Sequence, residues 1–157
     1  MEYRRILVAV DRSSQSEAVF DKALHLAKVE GARLKIFHCV AVSPLAFGTS
    51  GDLYGQGLGR AAQVQQELVQ KEVTEVKRWL QGLVNQCEQE DIEAESEYEI
   101  GEAGYWIREI ALGWDADLVV LGRRGRSELA ELFLGSVSNH VVHHLKCSVL
   151  IVQHPDD

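Results

Sequence analysis

Few of the residues that staple, span or attack are present in this chain. Only three of its 157 residues are cysteine, and Cys39, Cys87 and Cys147 lie far apart. An odd, scattered set excludes a disulfide framework and a zinc knuckle, and fits reduced thiols in a cytoplasmic protein. No apolar run approaches the roughly 18 residues of a membrane span. The opening Met1-Glu2-Tyr3-Arg4-Arg5 leads into an apolar segment without a leader pattern, so a cytoplasmic location is expected. Basic residues are in deficit: 16 Lys and Arg face 24 Asp and Glu, a net charge of −8. That balance argues against nucleic acid or an anionic membrane as partner. No Walker-type P-loop and no Gly-x-Ser-x-Gly elbow occur, and no cysteine has a recognisable base partner. A covalent nucleophile has no support, and no catalytic residue is assigned.

What remains is ordinary for a globular fold, with 46% hydrophobic and 25% charged residues. One domain over residues 1–157 is expected, long enough to bury about 70% of the surface its unfolded chain exposes. Strand and helix patterns alternate along it. Ile6 to Val10, Leu34 to Val40, Ile92 to Ile100, Asp117 to Leu121 and Val149 to Val152 read as strands. His38 and Cys39 read as interior or sheet-face residues and not as ligands. The first helix opens near Ser13 or Ser14, which with Glu17 suggests a capping box, and Gly31 ends it after Lys28. It buries Val19, Ala23, Leu26 and Ala27. A second helix, from 60 to about 88, carries the stripe Val69, Val73, Val76, Leu80, Leu83 and Cys87, suited to lying across a sheet. A third follows Gly101-Glu102-Ala103-Gly104 with Ile107, Ile110 and Ala111 inward; Trp106 and Trp114 read as packing residues. Residues 43–60 form a glycine-rich surface loop, a lid or partner contact through Phe47, Leu53 and Tyr54. In the third strand Glu93, Glu95, Glu97 and Glu99 share one face, which places it near a sheet edge with that face in water. The order of elements predicts a three-layer α/β fold with an open five-stranded parallel sheet.

The stretch from Asp117 to Val152 organises the rest. An apolar strand runs directly into Gly122-Arg123-Arg124-Gly125, and nine residues later Gly135-Ser136 opens a helix. Ser136 is the expected N-cap, with Val137, Val141, Val142 and Leu145 as the apolar stripe behind it. Backbone N–H groups can approach a phosphate chain only where no Cβ intervenes, which glycine supplies. A helix N-terminus adds unpaired donors and a positive dipole end. Arg123, Arg124 and Arg126 add three cations. The bare glycine pattern also reads as a tight turn with surface arginines. Asp11, at the end of the first strand, is either a helix-entry carboxylate, which its position alone favours, or a ligand contact beyond the strand ends. His140 and His144 stand at i and i+4, but no third ligand accompanies them, and no metal site is expected.

Gly122-x2-Gly125-x9-Gly135-Ser136 resembles, position for position, the nucleotide-binding motif of the universal stress protein family. Ile6-Leu7-Val8-Ala9-Val10-Asp11 resembles that family's first strand. Leu134-Gly135-Ser136-Val137-Ser138 and Cys147-Ser148-Val149-Leu150-Ile151-Val152 resemble its last helix and strand. The resemblance implies a Rossmann-like adenine-nucleotide fold with strand order 3-2-1-4-5. It also implies ATP as the ligand, since members carrying the motif typically bind it. Val10, Asp11 and Val40 would lie near adenine and ribose, and Gly122, Arg123, Gly125, Gly135, Ser136 and Val137 around the phosphates. Mg²⁺ would be held by phosphate oxygens and water alone. Two departures stand out: Arg12 replaces the small residue usual after the aspartate, which would crowd or charge the pocket rim, and no proline follows Gly101.

The expectation is an ATP-binding regulator of stress adaptation with at most slow hydrolysis. Binding of AMP or a cyclic adenine nucleotide, a phosphotransfer enzyme and a protein-interaction module with a vestigial site are the alternatives. Val149, Leu150, Ile151 and Val152 would form an apolar edge strand, and such edges invite pairing. The family commonly dimerises there, so a homodimer is expected.

Overall fold

The computed structural model describes residues 2–41, 56–123 and 134–153. Along them run β1 (Arg5–Ala9), α1 (Ser14–Glu30), β2 (Arg33–Val40), α2 (Gln56–Gln89), β3 (Ala94–Ile100), α3 (Ala103–Gly113), β4 (Leu118–Gly122), α4 (Ser136–His144) and β5 (Ser148–Val152). The strands pair in parallel, in the order β3-β2-β1-β4-β5. The chain therefore winds outward from β1 in one direction to β3, then returns to β1's other side through β4. This is the order that the resemblance implied.

β1 is apolar at successive positions because both its faces are covered. Ile6 and Val8 belong to a core completed by Val19, Ala23 and Ala27 of α1 and by Val76, Leu80 and Cys87 of α2. Leu7 points the other way, into a core with Ile107, Ile110 and Ala111 of α3 and Val141 of α4. Gly31 adopts φ 64° at the end of α1, a left-handed conformation that stops the helix where expected.

Several local readings need correction. Ser13 is the N-cap residue of α1, but its side chain makes no cap bond; its N–H and hydroxyl both donate to Asp11 Oδ1. The nearby carboxylate outcompetes the helix end for that hydroxyl, so no capping box forms. α2 begins at Gln56, so Gly57 and Gly59 lie in a helix and not in the loop. Each glycine costs a helix about 1 kcal/mol, which the cooperative extension of a long helix absorbs. The rest of the expected 43–60 loop, with Phe47, Leu53 and Tyr54, falls outside the described residues. Only the second half of α2 is well covered; residues 59–64 and 66–68 are exposed, among them Val64 and Leu68.

β3 lies at a sheet edge, but its glutamates do not simply face water. Arg33 pairs with Glu93 at 2.6 Å, and Lys35 reaches Glu97 at 3.1 Å and Glu95 at 3.7 Å. Lys35 also sits 5.3 Å over the Trp114 ring. The strand beside β3 thus supplies countercharge that the period-2 pattern alone does not reveal.

Asp117 precedes β4 instead of opening it. Its carboxylate accepts from the backbone N–H of Arg4 at 2.9 Å and of Arg5 at 3.2 Å. Its own N–H donates to Arg5 O, and its carbonyl accepts from Ser148 N–H. One residue therefore ties the starts of β1, β4 and β5 together. Asp117→Ala should lower stability by about 1–3 kcal/mol through the two stranded N–H groups. Calorimetry should show this as a melting temperature reduced by about 2–4 °C per kcal/mol.

Candidate functional site

A cleft of about 580 Å³ opens at the carboxyl ends of β1, β2 and β4. Its walls come from Asp11, Ser13, Gln15 and Ser16 at the start of α1, Ala103 and Ile107 of α3, and Leu134 to Ser138 at the start of α4. Phe37, His38 and Cys39 of β2 and Leu121 and Gly122 of β4 complete it. This is the edge where parallel sheets of this winding bind ligands, because every following helix presents its N-terminus there. Three helices do so here, although the sequence reading had singled out only the last.

Those three ends are not equivalent. At α3 the Glu102 carboxylate accepts from Gly104 N–H at 2.9 Å and Tyr105 N–H at 2.6 Å, neutralising that terminus. This acidic cap occupies the place where a proline had been missed. At α4 the N-cap residue is Gly135, with no side-chain cap. Ser136, expected to be that cap, is the first helical residue and is exposed at the cleft. An α4 terminus without a cap leaves its first-turn donors available to an anion.

The two ends of the glycine pattern meet. Gly135 N–H donates to Arg123 O at 2.9 Å, and Arg123 N–H donates to Val152 O at 3.1 Å. Ser138, 2% exposed, donates its hydroxyl to Gly122 O at 2.8 Å. The apolar stripe assigns the inward role to Val142, which is 42% exposed, while the buried position is Ser138. A serine one turn into a helix is easily read as solvated; only the returning strand end reveals its acceptor.

Asp11 is locked by its own turn. Its N–H donates to Ser16 Oγ at 2.7 Å, and Oδ1 accepts from Ser13 N–H at 2.8 Å. Its Oδ2 has no protein partner among the described residues. The carboxylate orders the helix entry, and it also lines the cleft.

Of the remaining expected site residues, Val10, Gly122, Gly135, Ser136 and Val137 line the cleft with Asp11. Val40 does not: its side chain is buried on the α1/α2 side, and its carbonyl accepts from Gly101 N–H at 3.1 Å. Arg123 contributes the backbone bonds above, and its side chain is not part of the lining. Gly125 lies outside the described residues, as do Arg124, Arg126, Glu128 and Glu131. Arg12 neither crowds nor charges the lining; it reaches α2, 3.4 Å from Glu72 and 3.5 Å from Glu75.

Cys39 lines the cleft, but burial pushes its thiol pKa up, Glu102 adds to the effect, and its Sγ donates to Gly101 O at 3.3 Å. It is a poor nucleophile. His140 and His144 stack with centroids 4.1 Å apart, and His144 Nδ1 is 2.7 Å from the His140 carbonyl. Among the described residues no three His, Cys, Asp or Glu side chains are grouped to hold a metal. Trp106 packs in the α3/α4 core and donates to Ile100 O at 3.2 Å.

The universal stress protein family matches residues 2–153 of this chain. The chain belongs to that family. Universal stress protein Sll1388 of Synechocystis sp. (strain ATCC 27184 / PCC 6803 / Kazusa) is 44% identical over 154 residues, covering 98% of this chain and all of the relative. Universal stress protein YxiE of Bacillus subtilis (strain 168) is 34% identical over 155 residues, covering 96% and 99%. Among solved structures, the hypothetical protein MJ0577 superposes with a TM-score of 0.79 over the whole of both chains at 19% identity. A universal stress protein in complex with cAMP superposes at 0.68, with 22% identity and 98% of each chain covered. That of Archaeoglobus fulgidus in complex with dAMP gives 0.63, with 23% identity over 96% of this chain and 98% of the other. Among the described residues no helix is long and apolar enough to cross a membrane.

The Ser138 bond yields a direct test. Ser138→Ala should leave the Gly122 carbonyl without this donor and cost about 1 kcal/mol in denaturant unfolding, with the slope of the transition unchanged.

Proposed function

We propose that the cleft binds ATP and that this universal stress protein acts as a nucleotide-responsive regulator of stress adaptation. The observation that carries the reading is the closure of the glycine pattern. Gly135 is joined to Arg123 by one backbone bond and Gly122 is held by the Ser138 hydroxyl, with the α4 terminus lacking a side-chain cap and Asp11 in the same cleft. Phosphates would meet the N–H groups of Ser136 and Val137, and Mg²⁺ would be held by phosphate oxygens and water. The free Oδ2 of Asp11 suits a ribose hydroxyl. The cleft volume falls within the roughly 300–1,000 Å³ of small-molecule sites. A second reading, an adenine mononucleotide such as AMP or a cyclic form, is favoured by the cAMP and dAMP complexes of the similar proteins.

Regulation is preferred to catalysis because the described lining offers one carboxylate, Asp11, already engaged in its own turn, and one imidazole, His38, held by the Val10 carbonyl. Phosphoryl transfer needs a residue that orients the nucleophile. ATP at 100 times its dissociation constant should stabilise the protein by about 2.7 kcal/mol, read as a rise of roughly 5–11 °C in melting temperature. Gly125→Val should abolish the rise while the apo protein stays folded. The absence of any rise with ATP, AMP or cyclic AMP would refute nucleotide binding. Phosphate release near the typical enzyme rate of about 10 per second, lost in Gly125→Val, would replace the regulator with an enzyme.

We also propose a homodimer through β5. Its residues are all half-buried, at the sheet edge opposite β3. An edge of Val149, Leu150, Ile151 and Val152 offers unpaired backbone groups to an antiparallel copy across a two-fold axis. Ile151→Lys should shift sedimentation at micromolar concentration from dimer to monomer; a monomeric unaltered protein would contradict the proposal.

A further inference from the structure

His38 lies on the α1/α2 side of the sheet, yet its ring also lines the cleft, 7% exposed. Its Nδ1 is 2.8 Å from the Val10 carbonyl oxygen. That oxygen can only accept, so Nδ1 carries the proton. Trp79 stands edge-on to the ring, with centroids 5.1 Å apart and planes at 90°. Tautomer and orientation are thereby fixed together. In the neutral ring Nε2 is a lone-pair acceptor. No donor among the described residues reaches it. Nor does any buried side-chain nitrogen or oxygen among them lack a partner, so Nε2 is not sealed in the core. Nε2 therefore keeps some exposure, and the cleft is the cavity that His38 lines.

The position of His38 says which part of a ligand it would meet. The α4 terminus follows β4, Asp11 follows β1, and His38 stands on β2, in the spatial order β2-β1-β4. Within the sheet, two strand spacings, about 9.6 Å, separate β2 from β4, and Asp11 at the end of β1 stands between them. This is the layout of phosphate, sugar and base in an extended nucleotide.

We infer that His38 is a base-selecting residue, accepting through Nε2 a hydrogen bond from the exocyclic amine of a 6-aminopurine. The inference rests on the nucleotide reading of the cleft. A 6-oxopurine presents a carbonyl oxygen at the same place, so two acceptors would face each other. The neutral ring cannot relieve this by changing tautomer, because Nδ1 would then turn a lone pair on Val10 O; only uptake of a proton would make Nε2 a donor, so the comparison below is made at about pH 8. In the neutral ring, selection for adenine over hypoxanthine is thus set by a backbone carbonyl on the far side of the ring.

The test compares ATP with inosine triphosphate, which replaces the 6-amino group by oxygen, by calorimetry on the full chain. The unaltered protein should prefer ATP by about 10- to 100-fold. His38→Asn places an amide donor where Nδ1 was, keeping the bond to Val10 while removing the Nε2 acceptor; its two affinities should converge. His38→Gln places an amide at the Nε2 position that can accept or donate, and should gain affinity for inosine triphosphate. If the asparagine variant fails to fold, as judged by circular dichroism, the glutamine variant decides. Equal affinities in the unaltered protein, or a preference that survives substitution, would overturn this inference and leave nucleotide binding standing. Binding of neither triphosphate would overturn both.

Discussion

The pairing of β1 with β4 is the contact on which the rest depends. Ile6, Leu7 and Val8 lie beside Leu118, Val119 and Val120, strands separated by more than half the chain. Closing so long a loop is entropically costly, and the return comes from burying both faces of both strands. Asp117 fixes the lower end of this seam through Arg4 and Arg5. At the upper end the chains part, α1 turning to one face and α4 to the other, and the parting is the cleft. The cleft is therefore a by-product of how the sheet is wound.

The winding also sorts the electrostatics. Three helix termini aim at one place in a protein of net charge −8. Glu102 quenches the α3 terminus, and the Asp11 turn orders the entry to α1. The α4 terminus, with Gly135 at its cap, keeps its donors for something else. The local field at the cleft is set by which terminus lacks a carboxylate, and not by the total charge of the chain.

The fold was legible because fully buried strands leave an unbroken apolar signature and strand–helix alternation admits few parallel topologies. Asp11, Gly122, Gly135 and Ser136 were legible as cleft residues because glycine and strand-end carboxylates carry local meaning. Ser138, Glu102 and His38 were not, since each acts through a partner distant in sequence or through a backbone atom. Ser138 bonds the strand end 16 residues back, and His38 bonds a carbonyl 28 residues away. The capping box failed for the opposite reason: a local rule was satisfied on paper while Asp11, two residues off, held the serine. Arg12, read as a rim residue, found Glu72 and Glu75 sixty or more positions away.

α2 is 34 residues long, about 51 Å at 1.5 Å per residue, whereas a seven-residue strand such as β3 spans only about 24 Å. Its second half is clamped to the sheet through Val76, Leu80 and Cys87, while residues 59–64 and 66–68 stand in solvent. A single helix therefore contains two kinds of amide proton. Those in the second half should exchange with deuterium only on opening of the sheet; those in the first, whose side chains are mostly exposed among the described residues, should exchange through fraying. Continuity of secondary structure is no measure of continuity of protection, and α2 crosses from one regime to the other without a break in its hydrogen-bonded spiral.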